Sequence, residues 1–165
     1  MTTIVADLAQ YGFVLTLLVA FIVWLRLPRR GRVELLVALL IGGAVCLVLL
    51  KVGGALYYDP RPFVSEHVAP LFAHAPDNGF PSDHTVATML VAAYVVVLSR
   101  RWGLVLIALS LLAGAARVLA HVHSPVDIPG ALAMAAVAAT VAWLLTRWIL
   151  ARFPRPADSV SPRAG

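Results

Sequence analysis

Residues 33–57 read VELLVALLIGGAVCLVLLKVGGALY, a run with only one acid and one cation. Wound as an α-helix it is about 37 Å long, enough to cross the roughly 30 Å hydrocarbon core of a bilayer. Four more apolar runs stand around it: Ile4–Leu25, Asp83–Leu98, Gly103–Ala120 and Val126–Leu150. The Asp83 and Gly103 runs are only just long enough to span. Lipid cannot satisfy bare backbone groups, so helices are the expected form. No long apolar–polar alternation suggests a barrel. The composition agrees. The 165 residues are 61% hydrophobic and 13% charged, with mean hydropathy +0.91, where a soluble domain is about half apolar and a quarter charged. The expected fold is an all-α integral membrane bundle of about five transmembrane helices, forming one domain over residues 1–150. Residues 151–165, with their prolines, are expected to be a disordered cytoplasmic tail.

Charge placement orients this bundle. Twelve of the 13 cations are Arg. The connections around Arg29, Arg30 and Arg32, around Arg100 and Arg101, and beyond Arg147 are basic and fall on one side of a five-span chain. The positive-inside rule makes that side cytoplasmic and puts the N-terminus outside. Lys51, Arg61 and Arg117 remain for the other side, together with all five histidines, His67, His74, His84, His121 and His123. The N-terminus lacks a basic n-region, so a cleaved signal peptide is not expected. The single Cys46 sits in an apolar run and reads as a small core residue. No Cys/His spacing suggests a metal site, and no metal, cofactor or nucleic-acid partner is expected.

The chemistry concentrates in three stretches. Pro81-Ser82-Asp83-His84 opens an apolar helix, with Ser82 as a natural N-cap. Backbone N–H groups and the positive dipole end there suit a phosphate. In Arg117-x5-His123-x3-Asp127, the Asp127 carboxylate can orient His123 through Nδ1–H. With Ser124 and Pro125 it can equally form a capping box for the last helix. Arg61, held between two prolines, and Arg117, near the outer end of its span, are the natural phosphate clamp. Lys51 could reach the same site from within its span or snorkel outward. His67, His74 and Glu66 lie in the long loop and read as solvated or substrate-flanking. A short interfacial helix is expected over Val64–Ala75.

These parts imply a mechanism. A phosphate ester docks on Arg61, Arg117, Ser82 and the backbone near Asp83. His123 attacks phosphorus, His84 protonates the leaving oxygen, and water hydrolyses the phosphohistidine. Fixed cations neutralise the charge, so no metal is required.

The three stretches together resemble the type 2 phosphatidic acid phosphatase superfamily. Its Pro-Ser-x-His signature corresponds to Pro81-Ser82-Asp83-His84, and its Arg-x5-His-x3-Asp signature to Arg117, His123 and Asp127. The end of its Lys…Arg-Pro block corresponds to Arg61-Pro62. Tyr57–Phe63 and Ala75–His84, with Asp83 where Gly is more usual, resemble the undecaprenyl pyrophosphate phosphatases of the bacitracin-resistance type. The resemblance implies an acid phosphatase/vanadium haloperoxidase-like helical core, a metal-independent phosphohistidine mechanism and an outward-facing site in a bacterial plasma membrane. There are departures. Nine residues separate Lys51 from Arg61 where the family has six, residue 116 is Ala where Ser is frequent, and many members have six spans.

The substrate expected on this basis is undecaprenyl pyrophosphate, with phosphatidylglycerophosphate or phosphatidate as the alternative. A remoter alternative is a non-catalytic lipid-transport or assembly protein. Gly42-Gly43 and Gly53-Gly54 allow close helix packing within one chain or in a homo-oligomer.

Overall fold

A computed structural model describes residues 2–153. The expected disordered tail falls almost wholly outside the described residues. The five apolar runs all form helices: α1 (Thr2–Arg26), α2 (Arg29–Leu56), α4 (Asp83–Leu98), α5 (Arg100–Leu119) and α6 (Asp127–Ala151), with the short α3 (Pro62–Ser65) between α2 and α4. The helices reach further into the basic connections than the apolar runs do. Arg29 to Arg32 form the first turn of α2 directly behind Pro28, and only Ser99 separates α4 from α5.

Four of these helices are long and apolar enough to cross a membrane, while α4 has 16 residues and is shorter. Its length of about 24 Å falls short of the hydrocarbon core. Packing accounts for this, because α4 is the hub. It packs against α1, α2, α5 and α6, and α1 and α2 complete the bundle against α5 and α6. Lipid therefore meets little of α4. The molecule is inside-out relative to a soluble bundle: Leu40, Leu47, Leu56, Leu112 and Leu144 face outward. The α6 seam is instead small, with Ala131, Ala135, Ala138, Ala142 and Thr146 all fully buried. Small seam residues let helix backbones approach closely where no hydrophobic force separates protein from lipid. Gly42 of α2 meets Leu90 of α4 and Ala142 of α6, and Gly53 meets Met134 of α6, so these glycines serve packing within the chain. Across the α4–α5 contact, the Thr88 and Ser110 hydroxyls share a 2.6 Å hydrogen bond.

The expected helix over Val64–Ala75 is not formed. After Ser65 the chain is irregular to Ser82. His67 takes a left-handed φ of 57°, and Pro70 could not donate within a helix. The loop is fixed to the bundle mainly through Asn78. Its Oδ1 accepts from the Asp59 and Phe80 N–H groups, and its Nδ2 donates to the Gly54 and Tyr57 carbonyls. That uses the full donor and acceptor pairing of one amide. The Phe80 ring lies where a Cβ on Gly130 would be, which seats the loop on the start of α6.

Candidate active site

The start of α1, the C-terminal ends of α2 and α5 and the N-terminal ends of α4 and α6 share one end of the bundle. The α5 end sets the geometry. His121 has φ 61°. The Val122 N–H bonds the Arg117 carbonyl and the His121 N–H bonds the Val118 carbonyl, which is the double closure of a Schellman motif with histidine at the left-handed position. This turn points the Val122 carbonyl and the His123 ring at the loop.

The His123 Nδ1 lies 2.9 Å from Asp127 Oδ2, which also accepts the Ser124 backbone N–H at 2.9 Å. Asp127 therefore both orients the imidazole and reaches back as one half of a capping box. The other half is absent, since the Ser124 side chain makes no cap bond and α6 begins at Asp127. A carboxylate accepts only, so Nδ1 carries the proton and the lone pair lies on Nε2. That Nε2 is 3.4 Å from Arg61 NH1, which donates to the Val122 carbonyl at 2.6 Å. His123 is 1% and Asp127 0% exposed, with Arg61 at 5% and Arg117 at 3%. Burial pushes the His123 pKa below its ordinary value. The Asp127 bond pulls it upward, and the charges of Arg117 and Arg61 add to the lowering.

Arg61 is held by residues absent from the expected set. Its Nε donates to Asp77 Oδ1 at 2.7 Å, and NH2 to the Asn78 carbonyl at 3.5 Å. Burial opposes ionisation of Asp77, but the Arg61 bond and charge outweigh it and hold its pKa below the carboxylate norm. A Cβ on Gly79 would stand 3.0 Å from Asp127 Oδ2, so the loop runs hard against the His123–Asp127 pair. The sequence carried one signal here. Asp77-Asn78-Gly79 reads as a turn, and nothing local shows that its side chains reach Arg61 and α2.

The Pro81–His84 block joins the same cluster through backbone, with the Ser82 N–H 3.4 Å from the Asp127 carbonyl. Ser82 is fully buried and occupies the N-cap position of α4, but its side chain makes no cap bond; Thr85 Oγ1 donates to its Oγ at 3.0 Å. Asp83 Oδ1 takes both the His84 backbone N–H and His84 Nδ1, each at 2.8 Å. Asp83 thus does for His84 what Asp127 does for His123, but on the exposed side, and it occupies a backbone donor expected to face phosphate. The Phe13 and His84 rings pack in a T-shaped arrangement with 4.4 Å between centroids. His84 and Arg117 line one small cavity with Phe13 and Thr88. Arg117 NH1 donates to the Ala9 carbonyl and NH2 to His74 Nε2, while its buried Nε has no partner among the described residues.

Lys51 is not brought into this cluster. It is exposed on α2 and lies about 180° around the helix from the buried Gly42. His67, Glu66 and His121 are also outside it. Among the described residues, no three His, Cys, Asp or Glu side chains converge as a metal site.

Comparison with known proteins places the chain in a family. Residues 31–151 match the PAP2 superfamily model. The chain is 33% identical over 135 residues to "Undecaprenyl-diphosphatase BcrC" of Bacillus subtilis (strain 168), covering 82% of this chain and 69% of that protein. It is 30% identical over 142 residues to "Bacitracin transport permease protein BcrC" of Bacillus licheniformis, covering 85% and 70% respectively. The crystal structure of Aquifex aeolicus LpxE shares the fold, with a TM-score of 0.63 over 87% of this chain and 85% of that one, at 22% identity. Apolar helices, two Asp-oriented histidines and the matched family together make this chain a multi-pass membrane phosphatase, and it belongs to the PAP2 superfamily.

Proposed function

We propose that the protein removes the terminal phosphate of undecaprenyl pyrophosphate on the extracytoplasmic face of a bacterial plasma membrane, through a phosphohistidine on His123. The observation that carries this reading is the pair of buried guanidiniums beside a bare imidazole nitrogen. Arg117 has no carboxylate partner among the described residues, and Arg61 has only the exposed Asp77. A buried cation without a counter-ion is costly, and a phosphoryl group between the two would supply that charge.

In this reading His123 Nε2 attacks phosphorus and Asp127 stabilises the imidazolium that forms, as an orienting carboxylate does in a triad. Arg61 and Arg117 take the charge of the equatorial oxygens. His84, turned by Asp83 so that Nε2 is free, gives its proton to the leaving lipid phosphate and then draws one from the attacking water. The Ser82 hydroxyl, which accepts from Thr85 and keeps its own hydrogen, donates to the phosphate, while Asp83 already takes the His84 backbone N–H, and Lys51 has no part. Eight arginines, Arg26, Arg29, Arg30, Arg32, Arg100, Arg101, Arg147 and Arg152, lie at the opposite end of the bundle and support an outward site.

The diphosphate substrate rests on the Bacillus subtilis relative's name. A transport reading takes support from the Bacillus licheniformis name, but transport does not need the buried His123–Asp127 pair. The deciding experiment measures phosphate release by purified protein from undecaprenyl pyrophosphate, phosphatidylglycerophosphate and phosphatidate, with His123→Ala as control. Preference for the diphosphate, abolished in the variant, is expected. Preference for a glycerolipid overturns the substrate, and undiminished release by the variant overturns the nucleophile.

A further inference from the structure

His74 belongs to none of the three motifs, yet it stands between Arg117 and His123. Its Nε2 is 3.1 Å from Arg117 NH2, and its ring lies edge-on to His123 with 6.4 Å between centroids. Its Nδ1 is 3.3 Å from the Ala75 carbonyl. These partners fix the tautomer. A carbonyl only accepts, so Nδ1 carries the hydrogen; a guanidinium only donates, so Nε2 is bare. The charged and titratable groups around the ring are Arg61, Arg117, Asp77 and His123. Burial foremost, then the Arg61 charge, hold the His74 pKa below its ordinary value, in keeping with a neutral ring beside two cations. A loop side chain therefore occupies the Arg117 donor that a phosphoryl oxygen would otherwise take.

We propose that His74 is a substrate-binding residue: it accepts from Arg117 where a phosphoryl oxygen would, and it becomes a donor to the phosphoryl group when substrate docks. This rests on the phosphatase reading of the site. In the exchange, the Arg117 NH2 hydrogen bond passes from His74 Nε2 to a phosphoryl oxygen. Nε2 takes a proton from solvent, and the new N–H points at the same anion. The anion supplies the negative charge that the neutral imidazole lacked, so two guanidiniums and an imidazolium then surround one phosphoryl group.

The test titrates inorganic phosphate into the detergent-solubilised full chain by calorimetry and measures steady-state kinetics on undecaprenyl pyrophosphate. It compares the wild type with His74→Ala and His74→Gln. His74→Ala is expected to weaken phosphate binding about tenfold and to raise KM more than it lowers kcat. His74→Gln, whose amide N–H can donate, should recover most of the loss. Tighter binding by His74→Ala would mean that the ring merely blocks Arg117, and it overturns the proposal. Unchanged binding, or equal loss in Ala and Gln, overturns it as well. Thermal unfolding of each variant separates these outcomes from misfolding. If the wild type binds phosphate with the expected His74 dependence but hydrolyses no lipid diphosphate, the substrate assignment fails and the His74 assignment stands. Turnover with His74-independent binding sinks His74 alone.

Discussion

Replacing Asn78 by Ala should disable the enzyme without unfolding it. The amide makes four hydrogen bonds of 2.9 to 3.0 Å, two from backbone N–H groups of the loop and two to carbonyls at the end of α2. Each is worth about 0.5–1.5 kcal/mol net, and partial exposure places the total near 2–4 kcal/mol. That energy holds the segment that carries Asp77, the Asn78 carbonyl and Gly79 against Arg61 and Asp127. Its loss is read as free energy of positioning at about 1.4 kcal/mol per decade, so kcat/KM on undecaprenyl pyrophosphate should fall between about 30-fold and 1,000-fold. None of the helix–helix contacts uses Asn78, so the bundle should still unfold as one unit in detergent, with its midpoint lowered by about 4–16 °C. Asn78→Asp should be as damaging, because it turns an oxygen toward two carbonyl oxygens. A kcat/KM for Asn78→Ala within about threefold of wild type would refute the reasoning. So would a collapse of thermal stability, since loop and bundle would then not be separable.

The remaining predictions concern the site and its supports. As the proposed nucleophile, His123 would attack only when unprotonated, and its pKa lies below the ordinary histidine value. Activity should therefore be lost as pH falls through that lowered pKa, and the acid limb of kcat/KM should have its midpoint below about 6.5; a limb at or above it contradicts the assigned nucleophile. His84→Ala should cut kcat roughly a hundredfold for a poor leaving group and much less for an activated aryl phosphate, and equal losses on both would remove His84 from the acid role. Gly130→Ala puts a methyl group into the Phe80 ring and should cost roughly 1–3 kcal/mol of stability. Gly43→Ala, with open space at its Cβ, should be neutral or stabilising; denaturation in detergent that ranks the two the other way refutes the packing account. His121→Gly relieves a left-handed residue at a helix terminus and should stabilise by about 1 kcal/mol, measurable as a higher unfolding midpoint.

Much of this protein was legible in its sequence. Where spanning segments lie is a one-dimensional property, set by the length of apolar chain against the thickness of the bilayer, and all five runs became helices within a few residues. The side on which the arginines gather is equally one-dimensional. The spacing of His123 and Asp127 allowed two readings, an oriented imidazole or a helix cap, because four residues bracket a single turn, and Asp127 does both. Tertiary structure decided which loop residues complete the site. His74 and Asp77 sit in a stretch without periodicity, and their partners Arg117 and Arg61 are 43 and 16 residues away. Asn78 looks like an ordinary turn residue until its amide is found on the end of α2. The expected helix over Val64–Ala75 failed because that segment is held by long-range bonds, such as the Leu71 N–H to the Ala120 carbonyl, rather than by its own propensity. Lys51 shows the converse. Its sequence neighbourhood pointed to the site, but its angular position on α2 followed from which face packs on α4 and α6, and that face was chosen by the small residues Gly42, Cys46 and Gly53. Local spacing fixed what one or two turns can fix, whereas contacts between distant segments depend on how the helices pack, and only the folded bundle determines that.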